Sequence, residues 1–242
     1  ILAGISVEYL TRLEQGRDRA PSSQILAVLS DALRLSADER VYLRRLAKAA
    51  DGSPCMHTEP PARSVRPTVR ALLDRLDPGP ALLLNRVGDV LAHTVGYERL
   101  AGPLGLLDDQ PANLVRFVFT DPRARAAYPD WGRIADEQIA NLKIGSEPSD
   151  PHVAALVEEL TVVAGAAFTD RWQAPPAVPE RTGVQRWVHP EVGELRLAYE
   201  ILDLSHADGQ DLVAYLPADI AASAALDRLT GHGPRILRAV AD

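Results

Sequence analysis

The chain has 242 residues, of which 46% are hydrophobic and 24% are charged, a balance that fits a folded protein with two unequal domains. No apolar run approaches the roughly 18 residues of a membrane span and no signal peptide is evident, so we expect a cytoplasmic protein without a membrane partner. The single cysteine, Cys55, excludes an internal disulfide and a multi-thiolate metal site.

The net charge of −7 is unevenly distributed along the chain. Residues 1–50 carry 8 basic and 6 acidic side chains, whereas the remainder carries 18 basic and 27 acidic ones. A mildly basic N-terminal part on an acidic body permits contact with a nucleic acid at that end.

Residues 1–50 are predicted to be helical. Ser6 is a candidate N-cap before an apolar pattern at Val7, Leu10 and Leu13, and Gly16 is a candidate helix end. A second helix begins at residues 21–23, and the capping box at residues 36–39 begins a third. Residues 51–64 are rich in Pro, Ser and Gly and are predicted to link this domain to a second one at residues 65–230.

The second domain mixes helical and strand patterns and is predicted to be α+β. A helix around residues 69–76 precedes two short apolar runs that flank the polar turn 85–89, which predicts a β-hairpin. Helix starts follow at residues 121–122, at Asp130 and at residues 150–151. From residue 184 the hydrophobic period becomes two, which predicts three more strands before a closing helix at 218–229. The sheet then has about five antiparallel strands, with helices inserted between the second and the third.

The segment GISVEYLTRLEQGR is suited to contact with DNA. A helix-turn-helix needs a tight turn, which Gly4 could supply, and then a short helix whose first residues enter the major groove. The side chains expected to meet bases or phosphates are Ser6, Glu8, Tyr9, Thr11, Arg12, Arg17 and Arg19. An amphipathic helix with a solvated polar face also fits this pattern.

This segment, extended to GISVEYLTRLEQGRDRAPSSQIL, resembles the recognition-helix region of the XRE class of lambda-repressor-like helix-turn-helix proteins. The run Arg-Leu-Glu-Gln-Gly-Arg followed by Pro21-Ser22 is similar to the MmyB-like regulators, which are common in actinobacteria. That family has two helices before this one, so we expect a segment upstream of Ile1 and only a partial lambda-repressor-like domain here. The resemblance implies double-stranded DNA as a partner and a homodimer.

The resemblance continues over residues 65–217. It is carried by Asn85-Arg86, by residues 89–92, 113–114, 120–122, 130–131 and 189–195, and by Tyr199-Glu200. The resemblance implies a PAS-like domain that is similar to proteins found with a fatty acid in the domain core. This chain departs from the family at His93-Thr94, where an aromatic residue and Asn are usual.

The expected ligand is therefore a small apolar molecule such as a fatty acid, with no other cofactor and no metal. The large apolar residues that could line its cavity are Leu83, Leu91, Phe117, Trp131, Ile134, Leu142, Trp187 and Tyr199. The polar groups that could fix its head group are Asn85, His93 and Arg116. Ordinary core packing and structural hydrogen bonds explain the same residues.

Enzyme motifs are not evident, because the six histidines lack a metal-ligand spacing and the chain has no nucleophile elbow or dinucleotide fingerprint. We therefore expect a regulator and not an enzyme. The alternatives are a lipid or small-molecule binding protein with an incomplete DNA-binding domain, a haem or flavin sensor, and a hydrolase that uses His93 or His189.

Overall fold

The computed structural model describes residues 5–18, 21–36, 39, 40, 43, 47, 60–145, 150–175, 177–204 and 209–231. Within these ranges the chain forms ten α-helices and a five-stranded antiparallel sheet, which confirms the α+β class. No helix in this part of the chain is both long enough and apolar enough to span a bilayer.

The helices in chain order are α1 (Val7–Glu14), α2 (Ser23–Ala32), α3 (Pro67–Leu76), α4 (Val95–Ala101), α5 (Leu114–Thr120), α6 (Arg123–Ala127), α7 (Trp131–Gly145), α8 (Pro151–Ala164), α9 (Ala166–Gln173) and α10 (Ile220–Thr230). A 3₁₀ turn, Gly102–Leu104, follows α4. The strands are β1 (Ala81–Leu84), β2 (Val90–His93), β3 (Thr182–His189), β4 (Gly193–Asp203) and β5 (Asp211–Pro217).

The predicted helix boundaries at the N-terminus are confirmed. The Ser6 hydroxyl accepts a hydrogen bond from the Tyr9 N–H at 3.2 Å, and Gly16 adopts a left-handed φ of +65° beyond the end of α1. The capping box closes in both directions, since the Ser36 N–H donates to the Glu39 carboxylate at 2.7 Å and the Glu39 N–H donates to the Ser36 hydroxyl at 3.3 Å. Arg19, Gly4 and residues 51–59 of the predicted linker lie outside the described residues.

The strands are ordered β2-β1-β5-β4-β3, and every neighbouring pair is antiparallel. Helices α4 to α9 lie between β2 and β3 in the chain, as predicted. The last strand, β5, therefore pairs with the first strand, β1, and all five strands form a single sheet. This is the PAS-like arrangement that the resemblance implied.

The two sheet faces bury different residues, because side chains alternate along each strand. The inner face contributes Trp187, Leu195 and Tyr215 to the main core, which the inserted helices and α10 complete. The outer face contributes Ala81, Leu83 and Leu212 to a smaller core that α3 covers through Val69 and Leu73.

The apolar run 114–119 forms helix α5, although its β-branched and aromatic residues would also suit a strand. The Asn113 side chain decides the local structure, because its Oδ1 accepts from the Arg116 N–H at 2.9 Å and so caps the helix. The helix is apolar nearly all round because it is buried on most sides, with residues 114, 115 and 117–119 all in the core.

A buried ion pair joins the β1–β2 turn to the start of α8. The Arg86 Nε donates to the Asp150 carboxylate at 2.6 Å, and the two side chains are 6% and 0% exposed. The same carboxylate accepts from the His152 N–H at 2.9 Å and so caps the helix. Asp150 thus fixes both where α8 begins and where it sits against the sheet domain.

Candidate functional site

The first candidate surface is the polar side of α1. The structure leaves Glu8, Thr11 and Arg12 exposed on the helix, with Arg17 exposed just beyond it. Their spacing places several of them on one side of the helix, as contact with a groove would require.

Local hydrogen bonds already engage part of the polar side of α1. The Ser6 hydroxyl caps the helix, and the Thr11 hydroxyl donates to the Val7 carbonyl at 2.9 Å. The Arg12 guanidinium lies 3.9 Å from the Asp18 carboxylate and 5.6 Å from the centre of the half-buried Tyr9 ring. Within the part of this surface that the structure describes, Arg12 and Arg17 are therefore the cations available to a partner.

The second candidate site is the aromatic core on the inner sheet face. Tyr97 of α4 stacks on Tyr215 of β5 with ring centres 6.1 Å apart. Tyr215 meets Trp187 of β3 edge-on at 5.3 Å, and Trp187 meets Tyr128 edge-on at 5.0 Å. Phe117 of α5 continues the chain of rings beside Tyr128 at 6.3 Å. We call these five residues the aromatic core; each is less than 9% exposed.

One hydroxyl of the aromatic core is completely enclosed without a hydrogen-bond partner among the described residues. The Tyr97 hydroxyl is fully buried and makes no hydrogen bond within the described part of the chain. Burial raises its pKa well above the usual range, and the neighbouring Tyr215 and Tyr128 raise it further, so the hydroxyl stays a neutral donor. Native proteins satisfy nearly all buried polar groups, which makes this hydroxyl a candidate contact for a polar group on a bound molecule.

The structure brings together most of the large residues that the sequence indicated as a cavity lining. Phe117, Ile134, Leu142, Trp187 and Tyr199 all belong to the main core, and the half-buried Trp131 packs against it. Trp131 is held by its ring N–H, which donates to the Val118 carbonyl at 2.8 Å.

Leu83 and Leu91 lie on the other side of the sheet. Both belong to the smaller core under α3, so they do not face the same interior as Trp187 or Phe117. The reason is the strand alternation: Leu82, and not Leu83, points to the inner face of β1. The expectation that all eight apolar residues line one interior is therefore wrong for these two.

The three polar candidates have structural partners. Asn85 builds the hairpin turn, because its Oδ1 accepts from the N–H groups of Val87 and Asp89 while its amide donates to the Ala62 carbonyl and the Asp89 carboxylate. Arg116 donates to both oxygens of Glu159 at 2.7 and 2.9 Å.

His93 is exposed, and its Nδ1 lies 3.1 Å from the Thr94 carbonyl. The neighbouring Thr94, which stands where Asn is usual, has a structural role. Its hydroxyl accepts from the Tyr97 N–H and the Ala81 N–H and donates to the Gly79 carbonyl, so it caps α4 and ties the helix to β1.

His189, the other histidine considered for catalysis, is 1% exposed and uses both ring nitrogens. Its Nε2 lies 3.1 Å from the Arg99 carbonyl, and its Nδ1 accepts from the Glu191 N–H at 3.2 Å. These contacts fix the tautomer with the proton on Nε2, and they join the β3–β4 turn to α4.

A surface cleft of about 430 Å³ lies between α7 and α9. Its lining consists of Asp136, Ile139, Ala140, Lys143, Asp170, Arg171, Ala174, Pro175 and Ala177. None of the residues predicted to bind a ligand belongs to it. Arg171 is held by Asp136 at 2.8 Å, and the Lys143 amine donates to the Ala174 carbonyl at 2.8 Å. Both cations of the cleft therefore contact other residues of its lining.

Sequence reasoning missed Tyr97, Tyr128 and Tyr215. Two of them carried a usable signal: Tyr97 stands three residues after the N-cap Thr94, and Tyr215 shares the alternating strand face of Val213. Tyr128 directly follows a five-residue helix that was not predicted as a separate element.

Residues 65–229 match the family model of the MmyB-like transcription regulator ligand binding domain. The match covers more than half of the chain. The chain belongs to this family. No curated protein matches the chain. The MmyB-like domain therefore contains the whole sheet, the aromatic core and nearly all of α10, whereas α1 and α2 precede it.

Proposed function

We propose that this MmyB-like protein is a cytoplasmic, homodimeric transcription regulator that binds DNA through α1 and a small apolar ligand, such as a fatty acid, through its sheet domain. The observation that carries the ligand half is the buried Tyr97 hydroxyl, which is unpartnered among aromatic rings on the inner sheet face. Family membership supports the regulator half.

The aromatic core suits a ligand with a long apolar part and one polar end. Its rings and the leucines beside them offer dispersion contacts and no competing charge, which favours an alkyl chain over a polar metabolite. The polar end would meet the Tyr97 hydroxyl, which is able to donate a hydrogen bond at any physiological pH. A ligand held there would contact α4, α5 and the sheet at once.

The DNA half is supported by the exposed Arg12 and Arg17 and by the charge difference between residues 1–50 and the remainder. A ligand that favours one conformation of the sheet domain would alter the spacing of two α1 helices in a dimer, and so the affinity for DNA. The separation of sensing and DNA contact in different parts of the chain is what such a coupling requires.

A band-shift assay tests DNA binding with the full-length protein and its own promoter at low salt, where phosphate contacts are strongest. Arg12→Ala and Arg17→Ala are each expected to weaken binding about tenfold, since each removes one phosphate or base contact. The matched control is Arg70→Ala, which removes an exposed arginine from α3. A duplex that binds with equal affinity to all four proteins would contradict the role of α1.

Native mass spectrometry with fatty acids of 12 to 18 carbons tests ligand binding. Tyr97→Phe is expected to weaken binding about tenfold through the lost hydrogen bond, while the unliganded protein keeps its stability or gains up to about 1 kcal/mol. The control is Tyr128→Phe, which removes a different hydroxyl from the same aromatic core and leaves that of Tyr97 in place. Ligand binding without any DNA affinity would favour the alternative, a lipid-binding protein that does not regulate transcription.

A further inference from the structure

Among the described residues, helix α3 and its neighbours cover only about half of the outer face of the sheet. Helix α3 packs over β1 and β5, whereas apolar side chains of β3 and the end of β5 remain open. Val184 is 41% exposed and Leu216 is 58% exposed. An exposed apolar sheet face of this kind is typical of an interaction surface.

The strand register places the exposed apolar residues in one row. Val184 of β3 lies opposite Ala198 of β4, and Ala198 lies opposite Leu216 of β5. All three point to the outer face, since Trp187, Leu197 and Tyr215 point inward. We call Val184, Ala198 and Leu216 the apolar row. The small Ala198 at its centre allows another surface to approach closely.

Charges of opposite sign flank the apolar row along the strands. On one side the register sets Arg186 directly opposite Arg196, and on the other it sets Thr182 opposite Glu200. Two like charges in a directly opposite pair are unfavourable. Arg186 is neutralised by Asp130 at 2.6 Å and by Glu194 at 3.7 Å, so Arg196 is the main positive charge on this side; it is 56% exposed and reaches Asp219 only at 3.4 Å. Glu200 is exposed and has no ion pair among the described residues.

We propose that this face binds a second copy of the chain, with the two apolar rows packed on each other across a two-fold axis that runs along the row. That axis reverses the strand direction, so Arg196 of each copy lies over Glu200 of the other. Packed sheets are about 10 Å apart, a gap that an arginine and a glutamate side chain together can bridge. A two-fold axis along the strands would instead set arginine over arginine, which the charges disfavour.

The face is thus self-complementary in charge as well as apolar at its centre, which is why a second copy fits it better than an unrelated partner. This inference assigns the contact surface of the homodimer that is part of the proposed function. It depends on the proposed function only in that the protein must form a dimer.

Sedimentation equilibrium of the full chain tests the proposal. Glu200→Arg sets like charges against each other at two symmetric positions and is expected to raise the dimer dissociation constant roughly 10- to 100-fold. Combining it with Arg196→Glu exchanges the two charges and is expected to restore dimerisation. Ala198→Arg, at the centre of the row, is expected to give a monomer. The control is Glu158→Arg, an exposed reversal on α8.

A chain that is monomeric at every concentration, a dimer that survives both Glu200→Arg and Ala198→Arg, or a charge exchange that restores nothing would each overturn the proposal. Circular dichroism spectra of the variants exclude unfolding as the cause of dissociation. A band shift that Ala198→Arg leaves intact would remove this face as the dimer contact while the regulator function stands.

Discussion

Gly96 lies where α4 crosses the loop before β1, and its lack of a side chain is a requirement of the packing. A Cβ atom at this position would come within 1.9 Å of the Pro78 carbonyl oxygen and 2.8 Å of its carbon, which are backbone atoms that cannot rotate away. The next residue is Tyr97, so the close approach at Gly96 also sets the depth of the Tyr97 hydroxyl in the aromatic core.

We expect Gly96→Ala to lower the free energy of unfolding by about 2–4 kcal/mol, because overpacking against a fixed backbone forces α4 away from the sheet. Urea denaturation measures this change. The matched control is Gly102→Ala, a position in the next turn where a Cβ would meet no atom within 4 Å. Equal destabilisation of both variants would show that the contact at Gly96 is not the cause.

At the scale of single elements, the start of α8 depends on one carboxylate. Burial alone would raise the pKa of Asp150, but the hydrogen bonds from Arg86 and from the His152 N–H outweigh it and lower the pKa. The folded-state pKa thus lies below the unfolded value, so the contribution of Asp150 to stability is present at neutral pH. It is lost as the pH falls below about 4 and through the lowered value.

We expect Asp150→Ala to lower the free energy of unfolding at pH 7 by about 3–5 kcal/mol, since the change leaves the buried Arg86 without this partner and removes the cap of α8. Chemical denaturation between pH 3 and pH 7 checks both the loss and its decrease in acid. Glu159→Ala is the control, because the Glu159–Arg116 pair is more than a third exposed and is worth under about 1 kcal/mol.

Elements with a local signal were predictable from the sequence, and contacts between distant elements were not. The caps at Ser6, at residues 36–39 and at Asp150 fixed helix starts, and alternation fixed β3 to β5. The sequence did not show which face of the sheet Leu83 points to. Both faces of the inner strand β1 are apolar, so its side chains do not alternate between apolar and polar.

The polar candidates show the same limit. Asn85 and Arg116 stand beside apolar runs for structural reasons, the first as a turn and the second as a partner of Glu159 43 residues away. No local pattern reveals a partner at that distance. The α+β class and the helix cap before Tyr97 were therefore within reach of the sequence, whereas the lack of a hydrogen-bond partner for the Tyr97 hydroxyl within the described part of the chain was not.

At the scale of the whole molecule, buried tyrosines make the free energy of unfolding depend on pH in the alkaline range. Burial raises the pKa of Tyr97, Tyr128 and Tyr215, and burial together with the carboxylates of Glu137 and Glu180 raises that of Tyr199 to about 12. In the unfolded chain these groups ionise near pH 10. The folded state therefore keeps protons that the unfolded state has lost, and unfolding becomes easier as the pH rises above 10.

We expect the free energy of unfolding to fall steeply between pH 10 and pH 12, with no matching loss between pH 8 and pH 9.5. Urea denaturation followed at each pH measures the slope. Tyr128→Phe removes one of the titrating groups and is expected to flatten that slope. A slope that is the same in the variant would mean that ionisation of Tyr128 does not contribute to alkaline unfolding.

The contacts of α10 indicate which element of the sheet domain separates from the core most easily. This helix faces the core with two alanines, Ala222 and Ala225, and with Leu226, and the partly buried Leu229 packs beside them. Its last turn is held from outside by the Arg99 guanidinium, which donates to the carbonyls of Leu229 and Thr230 at 3.1 and 2.7 Å. With two alanines on its buried face, α10 makes few dispersion contacts with the core, and in the described part of the chain its N-cap Asp219 forms an ion pair only with the partly exposed Arg196, at 3.4 Å. We therefore expect α10 to open before the rest of the sheet domain. The proposed ligand would then enter beside α10 and would displace this last helix of the fold before it displaced the β-strands.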